Sequence, residues 1–431
     1  MYLDTSDKSE CFGCEGCTQV CPKEAITMLE DDEGFRYPVI DQKKCINCGL
    51  CRKVCPHSHM PEKFESDKYV FGGYNHEPKT RFESTSGGAF SAIVDAFCDE
   101  NYVIFGAEAK GLLVFHNYIT DKKNLGKFRK SKYSQSIMGS SYRNVRIFLQ
   151  EGKKVLFSGT PCQIAGLIAY LETTNTNRTN LLTVEVVCEG VPSPLYIRKL
   201  DEAMKNKYGS PISSLDYRYT GRSILSHGKW DFEKMRMELG GGYRLHGKWD
   251  FQEMRIELLN KKKEILKDRW FNPFWSVWLQ HLMSRPSCYK CPFTTQGRVA
   301  DITLGDLWGV HIYCPELYGN NGGSSLVVCN TAKGKEVFKK AQNKMYGHEL
   351  AFEDALKYQG PMRKPIAENP RRDECIKDLQ SSMSLKGINM KWAKKPTLKL
   401  LFQKYIWGNR QKVFVWNLKQ KLMKKGVENN A

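Results

Sequence analysis

Two stretches, CFGCEGCTQVCP at 11–22 and CINCGLCRKVCP at 45–56, repeat one spacing, C-x2-C-x2-C-x3-C-P. Soft thiolate donors suit iron held in tetrahedral sulfur, and this spacing is an iron–sulfur spacing. Three cysteines at intervals of three residues let a tight loop fold around three corners of a cube. The fourth points away, serves the neighbouring cluster, and is followed by a proline that turns the chain. The pattern therefore assigns Cys11, Cys14, Cys17 and Cys55 to one [4Fe–4S] cluster, and Cys45, Cys48, Cys51 and Cys21 to a second. Structural zinc would be satisfied by C-x2-C pairs and leaves the third cysteine and both prolines unexplained. Two nearby clusters relay single electrons and do no substrate chemistry, so the other residues must say where electrons go.

Between the motifs, AITMLE and FRYPVID read as short strands around the acidic turn DDEG. Over about residues 5–60 the chain resembles the bacterial ferredoxin fold. The 431 residues suggest two or three domains, and 41% hydrophobic residues can bury a sizeable core. No stretch reaches the roughly 18 apolar residues of a membrane span. The start, MYLDTSDKSE, has no apolar run, so a cytoplasmic protein with reduced thiols is expected. Sixteen cysteines there argue for metal ligation over disulfides. The net charge of +19 is uneven: residues 1–60 hold 7 Lys/Arg against 10 Asp/Glu, whereas 386–425 hold 12 Lys/Arg and no acid. No zinc-finger, helix-turn-helix or RNA-binding signature accompanies the charge, so nucleic acid is not expected as a partner.

The expected organisation is a ferredoxin-like α+β domain at 1–60, a linker at 61–75, an α/β domain at 76–365 and a basic helical tail at 366–431. The linker is polar and aperiodic, and its neighbours His57 and His59 read as solvated. STSGGAFSAIVDAFCDE pairs Ser86, Gly87 and Gly88 with a following helix, which reads either as a capped helix or as an anion site. No GxGxxG or P-loop is present, which argues against a Rossmann-type nicotinamide site. KKVLFSGTPCQIAGLIAYL followed by LLTVEVVCEGVPSP reads as strand–helix–strand, a right-handed βαβ unit with parallel strands. Cys162 and Cys188 then fall at one edge of the sheet, where ligands bind. With Cys288 and Cys291 of RPSCYKCPF they could hold a third [4Fe–4S] cluster or one zinc; alternatively Cys162 and Cys188 are core residues. Cys98, Cys314, Cys329 and Cys375 read as packing residues. HGKWDFEKMRMEL at 227–239 recurs as HGKWDFQEMRIEL at 246–258, a local duplication read as extending a β-meander. In VADITLGDLWGV, Asp306 and Trp308 read as pocket or turn residues.

KVLFSGTPCQIAGL, VCEGVPSP, RPSCYKCPF and DITLGDLWG, in that order behind the twin motif, resemble the coenzyme F-420 hydrogenase/dehydrogenase beta-subunit family. STSGGAF and SKYSQS at 131–136 fit as well. The resemblance spans roughly residues 5–345. It implies an iron–sulfur flavoprotein with FAD in the large domain and a third cluster on Cys162, Cys188, Cys288 and Cys291. It carries Ser86, Gly87, Gly88 and Lys132 over as FAD contacts. Many bacterial members belong to cell-surface polysaccharide gene sets, so polysaccharide biosynthesis is an expected setting. Two departures bear on the substrate: Glu189 stands where the family's VCHG has histidine, and Lys130 replaces the glycine of RGSKY.

Lys132, Glu189 and Asp306 are the candidate catalytic polar groups. The expected function is an oxidoreductase passing electrons between clusters and FAD, with a redox partner protein and a small organic donor or acceptor. The alternative is an electron-delivery subunit with no substrate site of its own. In the tail, Leu398, Leu401, Phe402 and Tyr405, then Val413, Trp416 and Met423, make an apolar helical face opposed by lysines. Such a helix suits docking on a domain or partner subunit, or peripheral contact with an anionic membrane.

Overall fold

The strands β1 (Ile26–Glu30) and β2 (Arg36–Ile40) pair antiparallel across the DDEG turn, as the sequence pattern requires. They belong to a small N-terminal head that carries both cysteine runs. The computed structural model describes residues 1–65, 67–219, 253–267, 271–318 and 323–407, with 412, 414–419 and 422.

Behind the head stands an eight-stranded mixed sheet. Its strands are β3 (Tyr69–Asn75), β4 (Tyr102–Lys110), β5 (Leu113–Ile119), β6 (Lys154–Gly159), β7 (Leu181–Val186), β11 (Ile302–Asp306), β12 (Ser325–Cys329) and β13 (Met345–Glu349). Their order is β13-β3-β12-β11-β7-β6-β4-β5. The run β11-β7-β6-β4 is parallel. Val155, Leu156 and Phe157 of β6 are fully buried, as a strand covered on both faces demands. The helix Pro161–Thr173 connects β6 to β7, giving the βαβ unit.

Three strands, β8 (Ile212–Tyr219), β9 (Glu253–Leu258) and β10 (Lys263–Leu266), form an antiparallel meander. The end of the second repeat copy supplies β9; the first copy, 227–239, and residues 246–252 lie outside the described residues.

Two expected boundaries change. The linker assigned to 61–75 contains β3, an inner strand of the large sheet. Its alternation is broken by Gly72 and Gly73, which hide the pattern. A Cβ at Gly72 would lie 2.6 Å from Leu350, and one at Gly73 2.3 Å from the Tyr346 carbonyl, so neighbours occupy the space side chains would take. The tail assigned to 366–431 starts inside the fold. The helices Arg372–Gln380 and Leu385–Trp392 bury Cys375, Ile376, Leu379, Ile388 and Trp392 against the helix Leu195–Tyr208 and the meander. The helix Leu398–Tyr405 leaves Leu398, Phe402 and Tyr405 exposed; Val413 and Met423 lie outside the described residues.

The head is not an appendage. Phe12, Val20 and Val54 share one hydrophobic core with Tyr142, Val145, Ile164 and Leu167 of the large domain. Cys98, Cys314, Cys329 and Cys375 are buried. Among the described residues no helix is long and apolar enough to cross a membrane.

Candidate metal centre

Parallel pairing puts the ends of β6 and β7 on one edge of the sheet, so the residues that follow them meet there. Cys162 comes one residue into the helix after β6. Its entry is fixed by Gln163, whose Oε1 accepts the Thr160 N–H at 2.9 Å, and the Thr160 hydroxyl lies 3.2 Å from Cys162 Sγ. Cys188 follows β7. Cys288 ends a short 3-10 turn, Pro286–Cys288, and Cys291 lies just beyond it. That segment is laid against the β7 exit by the Arg285 N–H to the Val191 carbonyl, 2.9 Å, and the Ser193 N–H to the Met283 carbonyl, 2.6 Å. All four cysteines line one cavity of about 300 Å³, together with Glu189, His281, Phe12, Phe293 and Ile366.

Burial pushes the Cys288 thiol up to about 11 and the Cys291 thiol to about 12. Cys188 is raised well above the ordinary thiol range by burial and then by Cys288 and Cys162. Four such groups ionise together only against compensating positive charge. An iron–sulfur core with four cysteine ligands supplies that charge, and the donor set and cavity fit it. His281 Nδ1, in the same wall, is buried with no hydrogen-bond partner. Among the described residues no three His, Cys, Asp or Glu side chains gather as a single metal ion requires.

Several of the head's cysteines lie within one another's field. Cys14 and Cys17 are pushed up by burial, with Cys11 and Cys55 among their charged neighbours. Cys51 is raised by burial, with Cys48 and Cys45 beside it. The Cys21 sulfur accepts the Ala25 N–H at 3.3 Å. The group around Cys14 faces the large domain: Cys162 is among the charges Cys14 feels, and a Cβ at Gly166 would lie 2.9 Å from Cys14 Cβ and 3.1 Å from its sulfur. Gly166 thus lets the inner cysteines touch the helix that begins beside Cys162.

Arg285 ties the two regions together. It is 1% exposed and lines the cavity. Its Nε donates to the Cys11 carbonyl at 2.9 Å, one terminal nitrogen to Gln135 Oε1 at 3.0 Å and the other to the Arg36 carbonyl at 3.0 Å. The guanidinium lies 4.3 Å from the Tyr37 ring centroid. Gln135 in turn donates to the Phe12 carbonyl at 2.9 Å. Across the same interface Arg143 donates to the Gln19 carbonyl at 2.7 Å, and Arg372 forms a buried ion pair with Glu33.

The other candidate residues are spread out. Glu189 is in the cavity wall, where its charge opposes the lowering of the His281 pKa by burial. Asp306, at the end of β11, is paired with Arg218 at 2.9 and 3.0 Å, and the same Arg218 nitrogen donates to Ser86 Oγ at 3.0 Å. Ser325 donates to the Ser86 carbonyl, and a Cβ at Gly87 would lie 2.5 Å from Ser325 N. A Cβ at Gly88 would meet Asn75 at 3.1 Å. Lys132 is half-buried, its ammonium donating to the Arg129 and Lys130 carbonyls at 2.8 and 3.3 Å; desolvation lowers its pKa to about 8. Ser86 and Lys132 thus make these bonds within the chain. Sequence reasoning missed Arg285, His281, Gln135 and Gly166. Only Arg285 had a signal, a basic residue directly before PSCYKC.

Residues 152–354 match the family described as the C terminus of the coenzyme F420 hydrogenase/dehydrogenase beta subunit. Residues 10–59 match the 4Fe-4S dicluster domain. No curated protein matches the chain. Among solved structures it is similar to a chain of the F420-reducing [NiFe] hydrogenase complex from Methanosarcina barkeri, determined as a xenon derivative. The identity is 15%, the match covers 77% of this chain and 94% of that one, and the TM-score is 0.42.

Proposed function

We propose, from the match of residues 152–354 to the family described as the C terminus of the coenzyme F420 hydrogenase/dehydrogenase beta subunit, behind a 4Fe-4S dicluster domain, an iron–sulfur oxidoreductase with a third cluster site in the large domain. Cys162, Cys188, Cys288 and Cys291 hold the third [4Fe–4S] cluster. Cys11, Cys14, Cys17 and Cys55 hold the inner cluster of the head, and Cys45, Cys48, Cys51 and Cys21 the outer one. The observation that carries this reading is the convergence of four cysteines, from three separate stretches, on one cavity beside the inner cysteines.

Bound clusters supply one-electron transfer, and an FAD in the large domain would exchange single electrons for pairs. The chain's own residues do the rest. The cysteines bind, Arg285 fixes the Cys11 loop against the Cys288 turn, and Phe12, Phe293 and Ile366 keep water from the cavity. Glu189 and His281 offer proton-carrying groups at the cavity wall, with Nδ1 of His281 the available atom. The FAD assignment rests on the family resemblance, and polysaccharide biosynthesis as the setting rests on it too. The same resemblance supports Ser86, Gly87, Gly88 and Lys132 as FAD contacts and Lys132, Glu189 and Asp306 as pocket polar groups. The family's description as a beta subunit favours a second reading, an electron-delivery subunit without its own substrate site. Flavin content of anaerobically purified protein separates the two. One FAD per chain, with turnover of an artificial electron donor, supports the enzyme; clusters without flavin support the delivery subunit.

A further inference from the structure

The two ends of the head differ in exposure and in charge. The inner cysteines are covered by the helix Pro161–Thr173, whereas of the sixteen cysteines only Cys48 is exposed. Beside it Ile46 is 55% exposed and Gly49 has open space where a side chain would be. Lys43, Lys44, Arg52 and Lys53 flank this loop in sequence, all exposed. These are four of the seven basic residues in 1–60, a segment that is acidic in total. Two acids reach them: Asp41 lies 3.9 Å from Lys44, and Asp4 pairs with Arg52 at 2.6 Å. An exposed apolar residue flanked by like charges on an otherwise acidic unit suits a partner of opposite sign.

We propose that the loop from Lys43 to Lys53 is the docking surface for an acidic one-electron carrier protein. The proposal rests on the reading of the head as a cluster relay. A carrier seated on Ile46 approaches the Cys45–Cys51 cysteines, and the opposite end of the head is closed by the large domain. The order of the cysteine sets then runs outer, inner, third, from surface to cavity. Electrostatic steering makes such an encounter fast and strongly dependent on salt.

The test is calorimetric titration of the full-length, cluster-loaded protein with an acidic plant-type [2Fe–2S] ferredoxin as probe, at low and at physiological ionic strength. The expected result is salt-sensitive binding that weakens about tenfold in Lys43→Glu/Lys53→Glu. The charge-matched pair Lys123→Glu/Lys339→Glu, exposed elsewhere, should bind like wild type. Lys43→Gln/Lys53→Gln, a milder change, should fall between. No salt-sensitive binding, or equal weakening by both reversal pairs, overturns the docking surface. Iron and sulfide counts on the same samples judge the relay separately. Clusters present without binding sink the docking site alone, and salt-sensitive binding without clusters sinks the relay alone.

Discussion

Arg285 places one buried positive charge between two groups of cysteines, since both Cys11 and Cys288 lie within its field. Its replacement by Leu would leave the Cys11 carbonyl, the Arg36 carbonyl and Gln135 Oε1 short of a donor in the interior. A loss of about 3–5 kcal/mol in unfolding free energy is expected. The reduction potential of the inner and third clusters should fall, because a positive charge favours the more negative, reduced state. Arg285→Lys should keep much of the potential and lose the fork of hydrogen bonds. Denaturant titration and spectroscopically monitored redox titration read the two effects apart; an unchanged potential in Arg285→Leu would contradict the assigned role. Gly166→Ala probes the other contact. Its methyl would press on Cys14 and on the Tyr142 hydroxyl, 2.9 Å away, so about 1–3 kcal/mol of overpacking is expected with loss of iron from the inner site. Normal iron content in Gly166→Ala would show that Cys14 has room to move. At this scale the twin cysteine motif was legible because its spacing is local, and residues 10–59 match a 4Fe-4S dicluster domain. Arg285 was not assigned because its partner Cys11 lies 274 positions away.

Strands and helices were legible where their period was clean. The βαβ unit around Cys162 reads directly from its apolar runs, whereas β3 was hidden by two glycines whose space is filled by neighbouring residues. The helices at 372–392 were read together with the basic run that follows them; packing, not composition, decides their place. The strand β5 carries a consequence for pH. His116 is buried between the Ser136 hydroxyl at 2.8 Å and the Ser158 carbonyl at 2.9 Å, and burial lowers its pKa to about 4. The unfolded chain takes up this proton near the ordinary value of 6.5, the folded chain near 4. Between those values the unfolded state binds more protons, so stability falls as pH falls. The contribution is fully present above about 6.5 and is lost progressively toward about 4, up to about 3 kcal/mol. Urea midpoints measured from pH 7 to 4.5 should drop more steeply in wild type than in His116→Gln; parallel profiles would remove His116 as the cause.

The head and the large domain share a core and are crossed by Arg143, Arg285 and the Arg372–Glu33 pair. They should therefore unfold together, and calorimetry of the cluster-loaded protein should give one transition; two separated transitions would make the head an independent unit. That union also explains why the domain order was legible and the interface was not: each run reads as its own domain, while the contacts joining them are single residues far apart in sequence. The central claim is that the joined molecule builds a third cluster site from cysteines of the large domain. Iron per chain, compared between anaerobically prepared wild type and Cys188→Ala/Cys288→Ala, tests it most directly. About twelve iron atoms in wild type and about eight in the variant are expected, for three and two four-iron clusters. The same count of about eight in both proteins would contradict it.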